Sequence, residues 1–331
     1  MPTRLSWSRR LAFSLTPLIV LFALVEGGLR TAGWPSANAQ FEHNEPFWLT
    51  DPDLRSQPMP HNEEQTSFPV STNPDGLRAP LFSVEPEPGT WRIMTLGCST
   101  TFGWGVRDEE TYPARLGHYA RERGLDQVEV VNGGQPGYTS FQGRWLWDRL
   151  LRDYQPDVVL IGYIVQDARK AAYSDKSQAI LQGDARFLKD NVLYQLRAYL
   201  LLRSTLGQVQ VRAKERSGDQ GGVYRVPSED YADNLRYLIR QIAATGAQPV
   251  LFGYPLERSG YTSDHRRILQ AAAEVEGVPH FDPQPQMEEA TRSAQLYFPN
   301  DRGHANADGN DLIAQWVLSF LEQESLLGGG L

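Results

Sequence analysis

The chain has 331 residues, 40% hydrophobic and 22% charged, and a formal net charge of −8. That is enough apolar material for one large α/β domain plus extensions, and the acidic balance excludes the broad basic surface that a nucleic-acid partner requires. A single cysteine, Cys98, excludes an intrachain disulfide, and no Cys/His cluster has zinc-site spacing.

Residues 1–30 read as a cytoplasmic tail and a transmembrane anchor. Arg4, Arg9 and Arg10 precede an apolar run from Leu11 to Val25, broken only by Ser14, Thr16 and Pro17. With Gly27, Gly28 and Leu29 the stretch reaches about the 20 residues that span a bilayer, if Glu26 lies near an interface. The basic flank, with no acidic residue, orients the N-terminus to the cytoplasm. Two other readings compete. Ala37-Asn38-Ala39 has the A-x-A form of a signal-peptide cleavage site, but it lies far beyond the end of the apolar run. A buried core helix is opposed by the lack of a polar face between Leu18 and Val25. The adopted reading is a single-pass protein of the plasma (inner) membrane, with the rest of the chain periplasmic.

Residues 31–90 are rich in Pro, Asn, Asp and Glu and show little periodicity, so they read as a stalk and an irregular N-terminal extension. Within them Val70–Arg78 suggests a hairpin turned at Pro74-Asp75-Gly76. From residue 91 to 325 a β/α alternation sets in. Strands are expected at 92–96, 128–131, 157–163, 249–252 and 278–281, and helices at 112–123 (Thr111 as N-cap), 141–154, 230–245, 262–276 and 308–323. Five strands separated by helices predict a doubly wound, five-stranded parallel sheet. Residues 170–228 interrupt the rhythm with a helical pattern from Val192 to about Arg216 and a glycine-rich break at Gly218–Gly222. This insertion is either a lid over the sheet edge or a structural elaboration.

Ligands of an open α/β sheet sit beyond the carboxyl ends of its strands. The sequence places there Gly97-Cys98-Ser99, then Asn132 to Gly137, then Ile164-Val165-Gln166-Asp167, and before the last helix Asn300 to Asn306, read as a loop. Together these hold a hydroxyl, flexible backbone donors, an amide, a carboxylate and an imidazole, which suffice for acyl transfer through serine. The competing readings are an N-cap for Ser99, and for Asp301 with His304 a structural pair capping the last helix. His43, His61, His118, His265 and His280 lack such context. Cys98 reads as a small buried residue rather than a nucleophilic thiol. Tyr138, Trp104 and Tyr163 belong either to the pocket wall or to the core.

Gly97-x-Ser99, Asn132 with Gly137-Tyr138-Thr139-Ser140, the Gln166-Asp167 turn after Pro156–Ile161, and Asp301-x-x-His304 with Asn306 and Gly309 resemble the conserved blocks of the SGNH/GDSL hydrolases, in the family's order, over about residues 91–323. The resemblance is to a membrane-anchored bacterial member. It implies a three-layer α/β/α flavodoxin-like fold with strand order 2-1-3-4-5, and a triad of Ser99, His304 and Asp301. It also implies an oxyanion hole from the N–H groups of Ser99 and Gly137 and the side-chain amide of Gln166, at a position where the family carries asparagine. The implied activity is hydrolysis of an ester or O-acetyl group on a cell-envelope glycan or lipid, with no cofactor and no metal. An O-acyltransferase with the same triad, or a weakly active or inactive homologue that binds envelope glycan or a partner, are the alternatives. Asp167 is expected to brace its loop.

Overall fold

The computed structural model describes residues 7–32, 47, 49–50, 56–58, 67–78, 83–171, 173–184, 196–199, 201–202, 222–299 and 301–328. The chain divides into two compact units, one of residues 1–48 and 176–222, the other of residues 49–175 and 223–331.

In the first unit, helix α1 (Trp7–Thr31) contains Pro17. Its segment Phe13–Thr31 has a mean hydropathy of 1.5 and is 6% buried, so it is long and apolar enough to cross a membrane as an anchor or to serve as a signal sequence. Glu26 is the acidic residue of this segment. Its carboxylate accepts from Arg30 Nε (2.7 Å) and from the N–H groups of Arg197 (3.0 Å) and Ala198 (2.9 Å). Residues 197–199 and 201–202 are helical. The remainder of the helix expected from Val192 to Arg216 lies outside the described residues, as do His43 and His61.

The second unit opens with a short antiparallel pair, β1 (Ser56–Pro58) and β2 (Ser67–Pro69). The hairpin expected at Val70–Arg78 is a turn without strands. Asn73 Oδ1 accepts from the N–H groups of Asp75 (3.1 Å) and Leu77 (2.9 Å), so this side chain replaces ladder bonds. Gly76 meanwhile lies so close to Thr50 that a Cβ would sit 2.2 Å from its carbonyl oxygen. Arg78 is buried, and its guanidinium meets Asp108 and the carbonyls of Phe102, Gly103, Val106 and Pro69. The N-terminal extension is thereby tied to the loop that carries Ser99.

The central elements follow as β3 (Trp91–Gly97), α2 (Ser99–Phe102), α3 (Tyr112–Glu122), β4 (Val128–Gly134), α4 (Ser140–Arg149) and β5 (Val158–Ile161). Thr111 caps α3, accepting from Ala114 N–H at 3.3 Å. The helix expected over 141–154 ends early. Leu150 leaves helical geometry, a 3-10 turn spans Leu151–Tyr154, and Gln155 sits at φ 49 before Pro156. In this tighter turn the Tyr154 carbonyl accepts from the buried Arg92 Nη1 at 2.6 Å. A minimal antiparallel pair, β6 (Lys170–Ala171) with β7 (Val223–Tyr224), brackets α5 (Asp175–Asp184) and closes the ends of the insertion. Then come α6 (Ser228–Ala243), β8 (Gln248–Phe252), α7 (Ser263–Glu276), β9 (His280–Phe281), α8 (Gln284–Ala290), the antiparallel β10 (Tyr297–Phe298) and β11 (Asp301–Ala305), and α9 (Ala307–Gln323).

The five-stranded sheet has the order β4-β3-β5-β8-β9, all parallel. Counted along the chain this is 2-1-3-4-5. Right-handed crossovers then fix the layers. The step from β3 to β4 runs one way along the sheet and puts α3 on one face. The steps from β4 to β5, β8 and β9 run the other way and put α4, α6 and α7 on the opposite face. The packing agrees, with α3 against α9, α4 against α6 and α6 against α7. One face buries Ile93, Val158, Leu160, Val250 and Phe252 with Leu116 of α3 and Ile313, Val317 and Leu321 of α9. β5 is buried along its whole length, as its apolar sequence requires.

Candidate functional site

Because β3 lies between β4 and β5, the loops that leave these three strands are neighbours at one sheet edge. Gly97 ends β3 and turns sharply. A Cβ there would lie 2.0 Å from Thr101 Oγ1, so only glycine fits. Cys98 is the N-cap of α2 and Ser99 its first helical residue, so Ser99 is not the cap. Its N–H is one of the four that a helix start leaves without an intrahelical partner. Cys98 is buried, and burial raises its thiol pKa; this keeps it neutral beside Thr100 Oγ1.

After β4 the backbone N–H of Gln135 donates to Gly97 O (3.0 Å), and Gln135-Pro136-Gly137-Tyr138 closes a turn through Tyr138 N–H to Gln135 O (3.1 Å). Pro136 followed by Gly137 at φ 79 is the type II pattern. Among the described residues the Gly137 N–H has no hydrogen-bond partner. The Gln135 side chain holds Thr50 and the Gly76 carbonyl, which anchors the N-terminal extension to this turn.

After β5, Gln166 is half-buried and its Oε1 accepts from Arg225 Nη1 at 3.0 Å. Asp167 braces the loop. Its Oδ1 accepts from Ser140 N–H at the start of α4 (2.8 Å), and its carbonyl from Val226 N–H (3.2 Å). Asp167 is fully buried and its Oδ2 has no partner among the described residues. Burial outweighs the Ser140 hydrogen bonds and pushes its pKa up to about 7, from an ordinary 3.8. Between these values the folded protein binds a proton that the unfolded chain has lost. This group's contribution to stability is therefore fully present below about 4 and is lost as pH rises towards about 7. Asp167→Asn should accordingly gain stability over wild type as pH is raised through that window, by on the order of 2–4 kcal/mol. Melting of both proteins from pH 4 to 8 checks this, and parallel curves would contradict it.

The fourth segment differs from the loop expected over Asn300–Asn306. Asp301–Ala305 is β11, paired to β10 with Tyr297 opposite Ala305 and Phe298 opposite Asp301. Three residues of β11 thus bulge out against none on its partner. An unbroken strand separates residues i and i+3 by about 10 Å on opposite faces; the bulge folds Asp301 back to His304. Asp301 Oδ2 lies 2.6 Å from His304 Nδ1, and His304 Nε2 lies 2.7 Å from Ser99 Oγ. The pair does not cap the last helix. That role falls to Asn306, whose Oδ1 accepts from Gly309 N–H at 2.9 Å. Burial alone would raise the Asp301 carboxyl, but hydrogen bonds from His304 and Gly303 N–H and the charge of Arg169 hold it below the usual carboxylate range. An ionised Asp301 keeps the proton on Nδ1 and leaves Nε2 to accept from the Ser99 hydroxyl.

Tyr138 and Tyr163 are core residues, fully buried, whereas the Trp104 ring lies 6.3 Å from the His304 ring and belongs to the site wall. His118 is a half-buried partner of Glu122, and His265 is buried on the Val226 carbonyl. The residue that sequence patterns do not single out is Arg225. It follows a glycine-rich break with no motif around it, and its partners lie 50 or more positions away.

No curated protein matches the chain. Among solved structures it is similar to LAE5, an alpha/beta hydrolase enzyme from the metagenome of Lake Arreo, Spain, with 18% identity, a TM-score of 0.48, and coverage of 72% of this chain and 97% of that one. It is also similar to the lipase/acylhydrolase from Enterococcus faecalis, with 14% identity, a TM-score of 0.48, and coverage of 71% and 97%. A catalytic mutant of Axe2, an acetylxylan esterase from Geobacillus stearothermophilus, has 17% identity, a TM-score of 0.47, and coverage of 70% and 94%. The model of the GDSL-like lipase/acylhydrolase family matches residues 95–312, from the middle of β3 into α9 and across all four segments of the site, and the chain belongs to that family.

Proposed function

We propose that the protein is a serine esterase with Ser99 as nucleophile, His304 as general base and Asp301 as the group that orients and charges the imidazole. The observation that carries this reading is the unbroken relay of two short hydrogen bonds, Asp301 to His304 at 2.6 Å and His304 to Ser99 at 2.7 Å. As Ser99 Oγ attacks the ester carbonyl carbon, its proton passes to His304 Nε2, and the imidazolium is stabilised by Asp301. The developing oxyanion is met by the N–H groups of Ser99 and Gly137 and by Gln166 Nε2. His304 then returns the proton to the departing alcohol, leaving an acyl group on Ser99. Water, deprotonated by the same imidazole, releases the acid and restores the serine.

Helix α1 is proposed as an uncleaved single-pass anchor in the plasma membrane, with the hydrolase domain on the periplasmic side. The substrate proposed from that location is an ester or O-acetyl group on a cell-envelope glycan or lipid. The test is labelling of the full-length protein in detergent by a fluorophosphonate. An adduct on wild type that disappears in Ser99→Ala supports the esterase, whereas absence of any Ser99 adduct removes it.

A further inference from the structure

Glutamine in an oxyanion hole raises a physical problem. It carries one more rotatable bond than asparagine, and its two ends are interchangeable unless something fixes them. The structure holds that fixing group. Arg225 Nη1 donates both to Gln166 Oε1 (3.0 Å) and to the Gly137 carbonyl (2.8 Å). A guanidinium has only donors, so the oxygen of the amide must face it, and Nε2 is turned the other way. Among the described residues Nε2 has no hydrogen-bond partner. The same nitrogen of Arg225 therefore grips both residues proposed to supply the second and third oxyanion donors.

The guanidinium is itself held from several sides. Nε and Nη2 bind the two oxygens of Asp175 at 3.0 and 2.9 Å, and Nη2 also reaches Gln142 Oε1 at 3.3 Å. With the two bonds from Nη1, all five of its N–H donors are used. Asp175 is held in turn by Thr139 Oγ1 at 2.7 Å. The backbone is clamped as well, because Arg225 N–H donates to Arg169 O and Asp175 N–H to Arg225 O, both at 2.8 Å. The Arg225 side chain is 19% exposed and that of Asp175 10%, so this is a largely desolvated ion pair in which bidentate geometry counts.

We propose that Arg225 is the positioning residue of the oxyanion hole: it aims the Gln166 amide and steadies the Gly137 turn without touching substrate. This rests on the esterase reading above. Lysine keeps the charge but offers one point of donors and cannot span two acceptors and a carboxylate. Arg225→Lys should lower kcat on p-nitrophenyl acetate by about 10–100-fold with KM changed less than about threefold, because a misaimed donor is lost mainly in the transition state. In a Gln166→Ala background the same change should cost only about threefold or less, since the amide it aims is gone. A merely structural arginine would cost the same factor in both backgrounds, and that result overturns the proposal. Gln166→Glu provides a test that leaves Arg225 intact. It keeps an oxygen for Arg225 but supplies no N–H, so it should fold normally and fall by about 10²–10³-fold. Wild-type activity in Gln166→Glu would refute the assigned amide orientation. Wild-type protein without Ser99-dependent turnover overturns the esterase reading and this inference together. Turnover that depends on Ser99 but is indifferent to Arg225→Lys and Gln166→Glu overturns this inference alone.

Discussion

Ser99→Ala and His304→Ala should each lower kcat on an activated ester by about 10⁴–10⁶-fold, and the double variant should be no worse than either single one. The two side chains share one proton, across a 2.7 Å contact, so removing either ends the same step. Asp301→Asn should cost somewhat less, on the order of 10³–10⁴-fold, because an amide can occupy the space while forcing the wrong tautomer. That ordering follows from the charge held on Asp301, which its bonds to His304 and Gly303 keep below the ordinary carboxylate range despite burial. Single-turnover assays with p-nitrophenyl acetate would measure it. Additive losses in the double variant would mean that the hydroxyl and the imidazole work on separate steps.

The second large effect concerns Gln166. Truncation to alanine removes one of the proposed oxyanion donors and should lower kcat by about 10²–10³-fold, or about 3–4 kcal/mol, with KM nearly unchanged. Gln166→Asn introduces the side chain usual in the family, yet it should be slower than wild type by roughly tenfold. Its shorter arm cannot hold the 3.0 Å bond to Arg225 while reaching the same oxyanion position. A faster asparagine variant would show that the loop after β5 sits at the distance suited to the shorter residue, and that the glutamine is a handicap rather than a fitted part.

Much of the architecture was legible because it rests on short-range patterns. The apolar run Val158–Ile161 reads as a covered central strand, and the amphipathic segments between strands read as crossover helices, whose right-handedness sets the layers; the strand order 2-1-3-4-5 is implied only by the family resemblance, and the sheet has it. The turn at Gln135–Tyr138 was written in Pro136-Gly137, and the start of α3 in Thr111. Ser99, Asp301 and His304 read as lying on loops at one sheet edge; His304 does lie within hydrogen-bond reach of both Ser99 and Asp301, although Asp301 and His304 stand in β11 rather than in a loop. The misreadings have a common cause. Val70–Arg78 has hairpin chemistry, but Thr50 packs on Gly76 and Asn73 satisfies the backbone from its own side chain, so no ladder forms. Residues 141–154 have helical spacing throughout, but the Tyr154 carbonyl is bound by a buried arginine 62 positions away.

By itself the sequence determined what depends on periodicity and turn residues: the apolar N-terminal helix, the parallel sheet, and the edge at which a hydroxyl, an imidazole, a carboxylate and an amide are gathered. Only the tertiary structure decided how those groups are aimed. The bulge that folds Asp301 back onto His304 depends on the pairing of β11 with β10, and the direction of the Gln166 amide depends on Arg225, 59 positions away. Local spacing encodes hydrogen bonds within a turn or a strand. The saturation of five guanidinium donors by four side-chain and main-chain partners is a property of distant segments meeting, and no window of sequence contains it.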